Sequence, residues 1–179
     1  MLYLCTIERI RIKEGTKSPL FLYLKMFKSK VKDLLENCLK ERTDLFLLNF
    51  DVLSDNTIKV VIDGDKGVLV EDCMLVSRAI ENNLDRDEED FSLEVTSAGA
   101  TSPISHQRQY KKNIGRVLKV KAANNENFEA FLTGVTDKGI TLNWKIRESK
   151  PIGKGKITVQ KEAHLMYQEI IEAKVKIKF

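Results

Sequence analysis

The sequence predicts an α+β chain, with an N-terminal α-β-β-α-β two-layer domain followed by an all-β small barrel. Three observations carry this. Helical and strand patterns alternate up to residue 96. From residue 116 on, strand patterns follow one another with only turns between them. The sign of the charge also reverses between the two parts. Residues 26–96 hold 9 Lys+Arg against 17 Asp+Glu, a net −8, and residues 97–179 hold 16 against 7, a net +9. The whole chain of 179 residues, formal net charge +4, is long enough for one ordinary domain or two small ones. At 42% hydrophobic and 31% charged residues it can bury a core and is not compositionally disordered.

The elements follow in order. Residues 1–25 keep no steady helix or strand period, and their longest apolar stretch, 20–24, is too short to span a membrane. No small-residue cleavage site follows it, as a signal peptide would need. These 25 residues are therefore expected to be an extension outside the fold, with Met26 as the true start. Residues 29–42 form an amphipathic helix, since Val31, Leu34, Leu35, Cys38 and Leu39 make one apolar stripe. LFLLNFDVL (45–53) and the β-branched TIKVVID (57–63) are two strands of a hairpin around the turn cluster Ser54-Asp55-Asn56. Residues 70–84 read as a helix with Val70, Cys73, Met74, Ile80 and Leu84 on its buried side, and Glu71 and Asp72 in the first turn suit its dipole. FSLEV (91–95) is the third strand, expected parallel to the second by a right-handed crossover.

VTSAGATSPI (95–104) ends the acidic part, and 97–104 reads as a linker. Its Ser97, Ala98, Gly99 and Pro103 are expected to form an interdomain hinge, Gly99 for a turn needing a loose backbone. Residues 105–113 make a short helix, and strands are expected at 116–121, 128–136, 139–145, 156–164 and 171–178. Five short strands in about 65 residues favour closure, which leaves few exposed edges. The basic loop IRESKPIGKG (146–155) projects between two of them.

Chemistry is sparse. Cys5, Cys38 and Cys73 form no CxxC pair and are odd in number, which fits free thiols in a reducing, cytoplasmic setting. His106 and His164 stand without a second ligand at metal spacing. Gly64-Asp65-Lys66-Gly67 lacks P-loop spacing and reads as a strand-to-helix turn. The acidic run Asp87, Glu88, Glu89 and Asp90 lacks the alternation and fixed glycine of a calcium loop, and reads as a contact surface for a basic partner. No serine sits in a GxSxG elbow. No enzyme, cofactor, metal or small-molecule substrate is expected. The cations fall into two groups that can approach phosphates: Arg108, Lys111, Lys112 and Arg116, then Lys145, Arg147, Lys150, Lys154, Lys156 and Lys161. Tyr110 and Trp144 lie among them and can stack on bases, although Trp144 equally suits a strand's buried face. A basic part attracts nucleic acid while an acidic part orients the molecule.

From Met26 to Phe179 the chain resembles the bacterial ribosome maturation factor RimP family. VVIDGDKGVLVEDCMLVSRAIENNLD is similar to that family's strand running into a helix with a DDC…VSR-like pattern, here Glu71, Asp72, Cys73, Val76, Ser77 and Arg78. FSLEVTSAGATSPI resembles its LEVSSPG…RPL junction, RQYKKNIGRVLKVKA its short helix and first barrel strand, and FEAFLTGVTDKGITL the next hairpin, whose Gly134 and Asp137 are also similar to Sm-like barrels. The family's usual junction proline is Ala98 here, its Arg-Pro is Ser102-Pro103, and a polar helix cap is replaced by Leu69. The resemblance implies an α/β domain at 26–96 and an SH3/Sm-like barrel at 105–179. It also implies a non-enzymatic, cytoplasmic role in maturing the small ribosomal subunit. The implied partner is the free 30S subunit, met through rRNA and a decoding-region ribosomal protein by a monomer that engages no membrane. The alternative is a general Sm-like RNA-binding protein, which a ring oligomer would mark.

Overall fold

The computed structural model describes residues 19–86, 90–149 and 155–177. The first helix, α1 (Pro19–Glu41), starts ten residues before the apolar stripe predicts. Leu22, Tyr23 and Met26 stay exposed in its opening turns, so these turns leave no periodic signature. The proline at its start suits a position whose N–H has no helical partner. Further along, Phe27, Val31, Leu35 and Cys38 are buried.

Strand β1 (Leu45–Val52) pairs antiparallel with β2 (Thr57–Gly64), with an irregularity between Leu47 and Asn49. The hairpin turns through Asn56 at φ 58°, a left-handed position that asparagine tolerates. Helix α2 (Val70–Glu81) then crosses to β3 (Ser92–Ser97), which lies parallel to β2, and the sheet order is β1-β2-β3. Ile58, Val60 and Ile62 of β2 pack with α1 and with Val76 and Ile80 of α2 in one core, which also takes in Leu84 and Phe91.

Of the residues expected on the buried side of this helix, Ile80 and Leu84 are buried and Cys73 packs against the same core, whereas Val70 and Met74 face solvent. Val70 is 77% exposed and Met74 46%, while Asp72, Val76 and Ile80 are buried at four-residue spacing. Asp72 is held on the buried side by its bonds: its carboxylate accepts from Arg42 at 2.7 Å and from the Leu69 N–H at 2.9 Å. Leu69 supplies no side-chain cap, and the return bond from Asp72 satisfies one helix-start donor instead.

The second part begins with α3 (Gln107–Lys112), followed by β4 (Val117–Ala122), β5 (Asn127–Val135), β6 (Gly139–Ser149) and β7 (Lys156–Met166). A 3-10 turn at Tyr167–Glu169 leads into β8 (Ile170–Val175). The strands form one antiparallel sheet in the order β7-β6-β5-β4-β8, so the two strands next in sequence lie at opposite edges without a ladder between them. Leu118, Val120, Ala130, Leu132, Ile140, Leu142 and Ala173 form a second core with Tyr110 of α3. Among the described residues no helix is long and apolar enough to cross a membrane.

Candidate functional site

Two carboxylates at the end of β2 meet the cations of α3. TIKVVID carries its apolar pattern up to Ile62 and then places Asp63 almost fully inside, 3% exposed. A carboxylate there requires partners, and it has three. Its own next residue, Gly64, donates from its N–H at 2.8 Å, Gln109 donates its amide at 2.8 Å, and Lys112 forms an ion pair with it. Gln109, itself buried, also accepts the N–H groups of Ser105 at 2.9 Å and His106 at 3.0 Å, which fixes the start of α3. His106 caps the same helix, its Nδ1 accepting the Arg108 N–H at 3.2 Å.

Asp65 sits two residues on, in the Gly64–Gly67 turn. Arg108 grips its carboxylate with two nitrogens, Nε at 2.9 Å, and also donates to the Thr43 carbonyl at 2.8 Å. This planar bidentate geometry is the strong form of a carboxylate pair. It holds the Asp65 carboxyl below its usual pKa. The guanidinium lies 4.5 Å from the Phe46 ring centre, and Phe46 in turn packs against His106 at 4.9 Å. The turn is tight enough to need glycine: Gly67 has φ 97°, and a Cβ on Gly64 would sit 2.3 Å from the Gly67 carbonyl oxygen. Behind it, Arg42 joins Asp44 and Asp72 in a second cluster, and its hydrogen bonds lower the Asp44 pKa. For Asp72 the larger lowering cause is the Leu69 N–H, with Arg42 second.

The candidate cations therefore separate. Arg108 and Lys112, expected on phosphates, are committed to Asp65 and Asp63 and form a latch between the two sheets. Lys161 pairs with Glu148. Lys111, Arg116, Lys145, Arg147 and Lys156 are exposed, Arg116 with one hydrogen bond to Asn113 at 3.3 Å. Lys150 and Lys154 lie outside the described residues, as do Asp87, Glu88 and Glu89 of the acidic run, whereas Asp90 is described and exposed.

Neither aromatic is a free stacking platform. Tyr110 is buried against Tyr167 at 5.5 Å, and burial pushes its hydroxyl up to about 12. Trp144 packs on the second core, edge-on to Phe128 at 5.6 Å. The expected hinge is pinned at both ends, Ala98 N–H to the Ile62 carbonyl at 3.2 Å and Ile104 N–H to the Ala173 carbonyl at 2.8 Å. Between these, Ser102 closes a turn onto Gly99 at 2.9 Å. Gly99 has no positive φ, and its demand is space, since a Cβ would lie 2.9 Å from the Ser102 hydroxyl. Pro103 follows this turn, and Ser97 ends β3.

Sequence reasoning missed Asp63, Asp65 and Gln109 as partners of the cations. The one available signal was Asp63 itself, a carboxylate continuing an otherwise apolar strand. Among the described residues no group of three or more His, Cys, Asp or Glu side chains could hold a metal ion.

Residues 34–101 match the family model described as the RimP N-terminal domain. Ribosome maturation factor RimP of Christiangramia forsetii is 59% identical over 154 residues, which covers 86% of this chain and 100% of that protein. The protein of the same name from Flavobacterium psychrophilum is 51% identical over 153 residues, 86% of this chain and 99% of its own length. That of Cytophaga hutchinsonii is 34% identical over 121 residues, 63% of this chain and 72% of its own.

Proposed function

This chain belongs to the ribosome maturation factor RimP family, and from that premise we propose that it binds the free 30S small ribosomal subunit and promotes its maturation as a non-catalytic factor. The observation that carries the reading is the latch. It joins a part of net −8 to a part of net +9 through one buried and one bidentate ion pair, which supports a reading in which two oppositely charged parts are presented together. The acidic part, 26–96 with the earlier turns of α1, docks on a basic ribosomal protein, using Asp90 and the adjoining Asp87, Glu88 and Glu89. The basic part, 105–179, contacts rRNA through Lys111, Arg116, Lys145, Arg147 and Lys156, and Lys150 and Lys154 belong to the same proposed set. The segment 97–104 joins the two domains. Two weak sites on one body raise the effective affinity of each.

The C-terminal sheet is read as an SH3/Sm-like small barrel. Its edge strands β7 and β8 are joined by a single 3-10 turn, and its inner face is a continuous apolar core. The protein acts as a cytoplasmic monomer without cofactor. Co-sedimentation with free small subunits across a salt series tests the reading. Enrichment in the small-subunit peak at low salt, falling steeply as salt rises, is expected. No enrichment at low salt refutes it.

A further inference from the structure

The hairpin of β6 and β7 outruns its sheet. The two strands pair over their full length, Gly139 opposite Met166 through Ser149 opposite Lys156. On its other side β6 meets β5 only as far as Asn143, opposite Phe131. Beyond that point, among the described residues, 144–149 and 156–161 form a two-stranded arm with no third strand. A free two-stranded hairpin is marginal in water, so an arm this long suits a role in which another surface covers it.

The register divides the arm into two unlike faces, because side chains alternate along a strand. One face carries Lys145 opposite Gln160, Arg147 opposite Thr158, and Ser149 opposite Lys156. The other carries Trp144, Ile146, Val159 and Ile157, with Glu148 and Lys161 tied to each other. Both acid–base partners of the arm thus lie on the second face. On the first, Lys145, Arg147 and Lys156 have no ion-pair partner among the described residues, and only hydroxyl and amide groups separate them.

We propose that this first face lies along the sugar-phosphate backbone of double-helical RNA. This rests on the proposed reading of the protein as an rRNA-contacting factor and names the form of RNA the arm takes. Charge selects a polyanion. The absence of any aromatic ring on this face argues against a single strand, which is held by stacking of bases on aromatic platforms, and Trp144 is turned to the opposite face against Phe128. Hydroxyls and amides between cations are the complement of phosphate oxygens and 2′-hydroxyls, the groups an RNA duplex displays. Lys145 and Arg147, two residues apart, are spaced about 7 Å along the strand. Contact through point charges and hydroxyls makes the binding indifferent to sequence.

The test uses the full chain, a short blunt-ended RNA duplex of mixed sequence and each of its separate strands, with fluorescence anisotropy over a salt series. The duplex is expected to bind tighter than either strand. The triple variant Lys145→Gln, Arg147→Gln, Lys156→Gln is expected to lower the slope of log affinity against log salt by about 3, and each single variant by about 1. Arg147→Lys keeps the charge and is expected to keep the slope. A control triple, Lys119→Gln, Lys121→Gln and Lys138→Gln, removes the same charge elsewhere in the second part and is expected to leave the slope nearly unchanged. Equal binding of strands and duplex, or an equal slope loss in the control, overturns the inference. If the wild-type chain co-sediments with free small subunits but does not bind the duplex, the inference fails while the proposed function stands. If it binds the duplex with the expected slope but never co-sediments, the proposed function fails while the inference stands.

Discussion

Replacing Asp63 by alanine tests the latch at its most buried point. The side chain accepts three hydrogen bonds, one from a cation, in a site 3% exposed. Its removal strands the amide of Gln109, which is 4% exposed and cannot turn to water. An unsatisfied buried group of that kind costs about 1–3 kcal/mol. The lost charge-assisted bond to Lys112 adds about 1.5–3 kcal/mol, towards the lower end because the Lys112 side chain is 23% exposed and can regain water. The sum is about 2.5–5 kcal/mol, close to the range found when one member of a buried pair is removed, against a total stability of about 5–15 kcal/mol for an ordinary protein. Urea unfolding measures it by two signals. Far-UV circular dichroism reports both sheets, and the single tryptophan, Trp144, reports the second core. The variant is expected to unfold at lower urea and to separate the two transitions. A double-mutant cycle with Lys112→Met should give a coupling of about 1.5–3 kcal/mol. A shift below about 1 kcal/mol together with zero coupling would refute the latch as the link between the sheets.

Two pH effects follow from the same neighbourhood. Asp65 has its folded pKa lowered by the Arg108 hydrogen bonds, so its stabilisation is fully present above the ordinary carboxylate pKa of about 3.9 and is lost as pH falls through the folded value. Asp65→Asn should therefore flatten part of the acid limb of a stability–pH curve while changing neutral-pH stability by about 1 kcal/mol or less, as for an exposed pair; an acid limb identical to wild type would contradict this. Tyr110 has its folded pKa raised to about 12 by burial, so its contribution to stability is constant below about pH 10 and is lost as pH rises towards the folded value. Tyr110→Phe should remove that alkaline loss in thermal melts, and an unchanged alkaline limb would show that the hydroxyl does not titrate within the core.

The parts of the fold that were legible are those whose signal is local. TIKVVID and FSLEV announce strands by β-branching and alternation, and the run from residue 116 announces an antiparallel sheet by its turns. The first turns of α1 were illegible because they bury little, so no period marks them. On α2 only Val70 and Met74 depart from the expected buried side, while Cys73, Ile80 and Leu84 keep to it. Asp72 is held on the buried side by its bonds to Arg42 and Leu69, whereas Val70 and Met74 lie in solvent. The ion pairs of Arg108 and Lys112 are invisible in sequence for a reason of distance. Arg108 finds Asp65 across 43 residues of chain and Lys112 finds Asp63 across 49. In sequence they are a basic cluster like any other.

The latch and the arm respond differently to salt, and this separates orientation from binding. Asp63 and Lys112 meet where little water enters, so added ions screen them weakly. Asp65 and Arg108 are more exposed, with side chains 48% and 31% accessible, but two parallel hydrogen bonds and the Phe46 ring hold the guanidinium besides its charge. Because the latch neutralises Arg108 and Lys112, an approaching polyanion meets Lys111, Arg116 and the cationic face of the arm, whose exposed charges are largely screened beyond a Debye length of about 8–10 Å. Salt that weakens the proposed contact of the arm with RNA is therefore expected to leave the ion pairs of the latch in place. The segment 97–104 is itself tied at both ends, Ala98 to Ile62 and Ile104 to Ala173, so the proposed hinge and the ion pairs of Asp63 and Asp65 with the short helix act on the same junction.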